Sequence, residues 1–161
     1  MDSVKHEIEP VYDKYSRILI LGSFPSVKSR EGHFFYHHPQ NRFWKVLAGV
    51  MGKSVPATID EKTAFLKESR IAVWDVIASC DIHGSSDSSI RNVEPNDLNI
   101  ILETAKIRHI FANGATAHKL YEKYCRPVTG RPCTKLPSTS PANAAFTMEK
   151  LLEYWKIIRE V

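Results

Sequence analysis

Four short apolar runs punctuate the chain, at residues 17–21, 71–76, 108–112 and 133–136. The first three are continuously apolar rather than alternating, the pattern of strands buried on both faces. Helical spacing fills the intervals. Phe43, Leu47 and Val50 share a face, with Trp44 and Met51 beside them and Gly52 as a stop. Thr58 with Glu61 forms a capping-box pattern ahead of Ala64, Phe65 and Leu66. The i, i+3, i+4, i+7 spacing recurs at Leu98, Ile101, Leu102 and Ala105, at Ala117, Leu120, Tyr121 and Tyr124, and at Met148, Leu151, Leu152 and Trp155. Strands alternating with helices predict an α/β fold, a three-layer α/β/α sandwich around a central four-stranded parallel sheet. Ligands of such sheets bind outside the carboxyl ends of the strands. Four segments are therefore expected to meet at one edge: 22–26, 79–87, 113–114 and 137–141.

Length and composition narrow this picture without changing it. The 161 residues suit one domain, 1–161. At 43% hydrophobic and 25% charged residues, the chain is neither disordered, collagen-like nor a coiled coil. No apolar run approaches the roughly 18–20 residues of a membrane helix, and the first residues lack the basic-then-apolar pattern of a secretory signal. The expectation is a soluble, cytoplasmic protein. Cys80, Cys125 and Cys133 are odd in number and widely spaced, which fits reduced thiols; three thiols without a CxxC fall short of an iron–sulfur cluster.

Charge adds a surface. The net charge is only +4, but it is segregated. Residues 123–148 contain no acid yet hold Lys123, Arg126, Arg131 and Lys135; residues 32–59 contain none either and hold Arg42, Lys45 and Lys53 with His33, His37 and His38. Such segregation suits one anion-facing surface, although clustering on solvated faces would look the same.

Three segments carry candidate chemistry. Gly22-Ser23-Phe24-Pro25-Ser26 follows the first strand and is neither a P-loop nor a nucleophile elbow. In residues 32–44, three aromatics (Phe34, Phe35 and Tyr36) and three histidines stand ahead of Phe43 and its helix. Aromatic faces can stack a base, and Asn41 can hold a water, bond a base edge or simply cap its helix; Phe34 and Phe35 also read as core. No fourth ligand at a recognisable spacing supports a metal. In the segment 136–144, two prolines bracket Ser138, Thr139 and Ser140 just before the last helix, at whose N-terminus they are expected. Hydroxyls and free amides there suit phosphate oxygens, and an ordinary hydroxyl-capped turn would read the same way.

The order GSFPS, FYHHPQNRFW, LPSTSPANA resembles the uracil-DNA glycosylase superfamily, within it most closely the hypoxanthine-DNA glycosylase branch. The resemblance implies the α/β/α fold and hydrolysis of the N-glycosidic bond of a deaminated base flipped out of double- or single-stranded DNA. That base would be hypoxanthine, with uracil and xanthine as further candidates. It makes Asn41 the catalytic residue. It assigns Tyr36, with Phe24, to base stacking, and Ser23 and Asn113 to the base pocket. DNA would be held by Ser138, Thr139 and Ser140 with Arg42, Lys45, Arg126, Arg131 and Lys135. Phe24 stands where many members carry Asp or Asn, and Ser138-Thr139-Ser140 where efficient uracil enzymes carry His; both departures point away from strong uracil activity. No lysine is placed for a Schiff base, so the expectation is a monofunctional, monomeric glycosylase without metal or other cofactor. Asp75 and Asp87 receive no role. Two other readings compete: a catalytically inactive lesion-binding module of the same fold, and a small nucleotide-binding hydrolase using Ser23 or Ser138.

Overall fold

The computed structural model describes residues 2–161. In chain order its strands are β1 Asp2–Lys5, β2 Ile18–Gly22, β3 Ile71–Asp75, β4 Ile77–Ile82, β5 Arg91–Pro95, β6 His109–Asn113 and β7 Thr134–Leu136. Its helices are α1 Val27–Gly32, α2 Phe43–Met51, α3 Ile59–Glu68, α4 Asn99–Thr104, α5 Ala115–Leu120, α6 Arg126–Thr129, α7 Met148–Trp155 and α8 Ile157–Glu160.

The four apolar runs form one parallel sheet, in the order β3-β2-β6-β7. All five residues of β2 and all five of β3 are buried, as strands covered on both faces must be. Register brings the carboxyl ends level: Gly22 pairs with Asp75, Leu21 with Ala112, and Asn113 with Leu136. Asp75, Gly22, Asn113 and Leu136 thus form one row across the edge of the sheet. Chain order reverses at β2, whose neighbours are β3 on one side and β6 on the other, and such reversals open a crevice at the carboxyl edge.

The helices follow the predicted periodicities. Gly52 ends α2 in the left-handed conformation (φ 66°), where its N–H bonds to the Ala48 carbonyl. The capping box of α3 is complete, with the Thr58 side chain accepting from the Glu61 N–H and the Glu61 carboxylate accepting from the Thr58 N–H. Its hydrogen bonds, led by those from the Thr58 and Ala57 backbones, hold the Glu61 pKa below the ordinary value. Phe43 and Trp155, both fully buried, meet edge to face where α2 packs on α7.

Three expectations need correction. Residues 79–82 are not loop: they belong to β4, the centre of an antiparallel sheet β1-β4-β5 that the hydrophobic pattern did not disclose. Half of β4 is only partly buried, β5 is mostly exposed and β1 is polar, so none carries a continuous apolar signal. Tyr121, Tyr124 and their neighbours form a five-residue π-helical segment, Tyr121–Cys125, rather than continuous α-helix. The Ser138–Ser140 segment does not open the last helix, because α7 starts only at Met148, capped by the Thr147 side chain. All three cysteines are free; burial raises Cys125 to about 11 and Cys133 to about 12. Among the described residues, no helix is long and apolar enough to cross a membrane.

Candidate active site

A cavity of about 380 Å³ opens at the carboxyl edge of the parallel sheet. The row at the strand ends supplies its floor through Gly22, Asp75 and Asn113. The loop after β2 supplies Ser23, Phe24 and Pro25. The segment before α2 supplies Phe35, Tyr36, His38 and Asn41, and the loop after β7 supplies Ser138, Thr139 and Ser140. Ser85 and Asp87 complete the rim. The four expected segments do meet, although the second, 79–87, reaches the rim through Ser85 and Asp87, and Asp75 comes from the end of β3, ahead of that segment.

One wall is a closed hydrogen-bond network. Asn41 Oδ1 accepts from the Phe43 N–H at 2.9 Å and from the Thr139 hydroxyl at 2.8 Å. Thr139, with no solvent exposure, also donates its N–H to Asn113 Oδ1 at 3.0 Å, and its Oγ1 accepts from Asn113 Nδ2 at 3.0 Å. Backbone N–H groups can only donate, so these contacts fix the orientation of both carboxamides. Asn41 therefore caps α2 and lines the cavity at once. Its oxygen is fully engaged, which leaves the Nδ2 donors for a ligand.

Arg42 holds this wall together. Its guanidinium donates to the carbonyls of Phe146, Ser140 (3.0 Å) and Asn143 (3.1 Å), while its backbone N–H donates to the Thr139 carbonyl. The expected phosphate contact is thus corrected: Arg42 spends its donors on the loop after β7. Thr139 is corrected likewise, since its buried hydroxyl and N–H face Asn41 and Asn113 rather than a phosphate. Arg131 lies toward the opposite, amino end of the sheet, where its guanidinium binds the Ile107 carbonyl at 2.7 Å. Arg126 is exposed and paired with Glu122 at 2.9 Å. Lys45 and Lys135 are exposed and do not line the cavity. Ser138 and Ser140 do, and their hydroxyls accept from the N–H groups of Ser140 and Ala142.

Tyr36 adopts a left-handed backbone (φ 51°), uncommon for a bulky residue. Its ring stacks on Phe43 with centroids 3.8 Å apart, so one face is covered. Its buried hydroxyl has no hydrogen-bond partner among the described residues. Burial, followed by the negative charge of Asp75, raises the Tyr36 pKa far above the tyrosine value, and the neighbouring Asn113 amide opposes the shift. Phe24 is buried against the edge of the His6 ring, with the Arg30 guanidinium 5.5 Å from its centroid. Ser23 Oγ donates to Asp87 at the rim (3.3 Å).

Two groups received no role from the sequence: Asp75, which lines the cavity, and His6 behind it. Asp75, 4% exposed, accepts at Oδ2 from His6 Nε2 at 2.8 Å. Asp75 ends an apolar run at the carboxyl edge, which was its one available signal. His6 gave none: it arrives because β1 pairs with β4 and the His6 N–H bonds to the Ala78 carbonyl.

Comparison with known proteins bears on this cavity. A sequence model of the uracil DNA glycosylase superfamily matches residues 9–161. The chain is 34% identical over 158 residues to a Methanosarcina acetivorans protein named hypoxanthine DNA glycosylase, covering 97% of this chain and 99% of that one. It is 32% identical over 141 residues to a protein of the same name from Methanosarcina barkeri, covering 86% and 88%. It is also similar to a solution NMR structure of a Methanosarcina acetivorans protein described as a uracil DNA glycosylase, with a TM-score of 0.82, 34% identity and 97% of each chain covered.

Proposed function

Because the chain belongs to the uracil DNA glycosylase superfamily, we propose that its strand-end cavity receives a flipped deaminated base, hypoxanthine first among them, and hydrolyses its N-glycosidic bond. The observation that carries this reading is Asn41: its carboxamide oxygen is held by Thr139 and the Phe43 N–H, and its Nδ2 donors are left for the cavity.

A duplex conceals the glycosidic carbon, so the nucleotide is extruded first; the weak pairing of deaminated bases lowers that cost. Tyr36, backed by Phe43, and Phe24 bound the base on its apolar sides. As the bond breaks, the sugar takes on oxocarbenium character and the electron pair moves onto the base. A fixed donor aimed at that charge is worth about 10²–10³ in rate. Asn41 supplies it as N–H, so its task is to stabilise the departing base rather than to deprotonate water. Ser138 and Ser140, with Lys45 outside the cavity, contact the DNA backbone. Among the described residues no lysine lines the cavity, which supports a monofunctional hydrolase from which borohydride traps no covalent adduct.

The test uses labelled duplexes with a single deoxyinosine, deoxyuridine or deoxyxanthosine, treated with alkali after incubation, with Asn41→Ala alongside. Cleavage at deoxyinosine that is lost in the variant is expected. Cleavage chiefly at deoxyuridine would reassign the base, and binding without any cleavage would make the protein a lesion-recognition module.

A further inference from the structure

A second cavity, a groove of about 690 Å³, adjoins the first, and its cations are unspent. One bank is the helical stretch that begins with α5. Thr116, Lys119, Lys123 and Tyr124 recur there at helical spacing and line the groove together. The other bank is the turn into β5, which carries Arg91. Lys119 and Lys123 are exposed, and neither ammonium has a hydrogen-bond or ion-pair partner among the described residues. The one acid of that helical stretch, Glu122, is taken by Arg126 at 2.9 Å. The Lys123 ammonium lies 5.1 Å from the Tyr124 ring centroid, an attraction that holds its charge against the wall. Arg91 spends only Nη1, on the carbonyls of Ser88 and Ile90 at 3.1 and 2.8 Å, which leaves the rest of its guanidinium to donate. Three cations thus face one carboxylate, that of Asp87.

Asp87 also fixes where the groove lies. It lines the strand-end cavity as well, and Ser23 of the loop after β2 donates to it at 3.3 Å. Thr116 follows the cavity-floor residue Asn113 by three positions. The groove therefore starts at the rim of the cavity. A base seated in that cavity leaves its phosphates outside, at the rim. From Thr116 to Lys123 the helical stretch rises about 10 Å, the length of about three nucleotides of one duplex strand at about 3.4 Å each. The geometry points to this groove as the seat of the DNA backbone beside the extruded nucleotide, with Lys119, Lys123 and Arg91 holding its phosphates. This assignment rests on the glycosylase reading above. It also changes which cations face DNA. Arg42, Arg126 and Arg131 are occupied within the protein, whereas Lys119 and Arg91 lie outside the acid-free stretches of the sequence. The like charge of Asp87 at the junction favours phosphates farther along, at the lysines.

Fluorescence anisotropy on a labelled deoxyinosine duplex tests this over a range of salt, in an Asn41→Ala background that leaves the duplex uncut. Lys119→Ala/Lys123→Ala is compared with Lys67→Ala/Lys106→Ala. The latter pair removes two exposed lysines that precede β3 and β6, at the opposite edge of the sheet, and so matches the change in net charge. The groove variant should bind more weakly, with a plot of log affinity against log salt shallower by about 1 for each lysine removed. The matched pair should keep the parent slope. A neutral methylphosphonate, placed at each linkage beside the lesion in turn, should weaken the parent at about one to three linkages. It should have no further effect there on the groove variant. An unchanged slope in the groove variant, an equal change in the matched pair, or linkage penalties that persist in the groove variant would each overturn the assignment and leave the glycosylase reading standing. Failure of the wild type to cleave any lesion duplex would overturn that reading and, with it, the placement beside an extruded base.

Discussion

On one side of the cavity, the hydroxyl and N–H of Thr139 and the carboxamide oxygens of Asn41 and Asn113 are all paired within the protein. On the other, among the described residues, the buried hydroxyl of Tyr36 has no partner, and Asp75 is held through Oδ2 by His6 while no hydrogen bond engages its Oδ1. Both sides are buried and both use polar groups at strand ends, so burial alone does not separate them. The difference lies in what remains free. The Thr139 side is a rigid mount that presents one kind of atom, the Asn41 amide donors. The Asp75 side holds a carboxylate in place through one oxygen and leaves the other to be satisfied from outside. A network closed on itself costs little to bury, whereas an open one stores an unmet demand that a ligand can meet.

Four substitutions break or sharpen this comparison. Asn41→Ala removes the presented donor and should lower the single-turnover rate on deoxyinosine duplex about 10²–10³-fold, with duplex binding in a gel-shift assay retained. Gly22→Ala attacks the open side alone: the new Cβ would lie 2.3 Å from Asp75 Oδ1, which His6 prevents from swinging away. Displacement of reacting groups by about 1 Å can cost about 100-fold, so the rate should fall by that order while the Asn41 network is untouched. Thr139→Val attacks the closed side with the shape preserved. It strands Asn113 Nδ2 and leaves Asn41 Oδ1 held by the Phe43 N–H alone, so denaturant unfolding should show a loss of about 1–3 kcal/mol, with a smaller rate loss of about tenfold. Thr58→Ala lies outside both walls. It removes the α3 cap for about 1 kcal/mol of stability and should leave the rate unchanged, which calibrates how much activity a purely structural loss removes.

The sequence carried much of this because its strongest signals are local. Continuous apolar runs placed the four parallel strands within a residue or two, since a strand buried on both faces needs no polar alternation. Gly52 and the Thr58–Glu61 pair marked helix ends because caps act within a turn. The edge at which Ser23, Phe24, Asn41, Asn113 and Ser138 gather followed from the parallel topology. What stayed hidden depends on long-range pairing. β5 is mostly exposed, half of β4 is only partly buried and β1 is polar, and β1 joins that sheet only by pairing with β4 some 80 residues away.

The sequence by itself determined the parallel sheet, the ends of α2 and α3 and the strand-end location of the cavity, because those signals are local; tertiary contacts decided which end of the Asn41 amide faces the cavity. They turned Arg42 and Thr139 from DNA contacts into supports, because three carbonyls and two carboxamides lie within their reach only after the loop after β7 folds back over α2. They also brought His6 to Asp75 across 69 residues. A side chain's type is written in the chain, but which of its atoms are spent and which are left free depends on neighbours that only folding assembles.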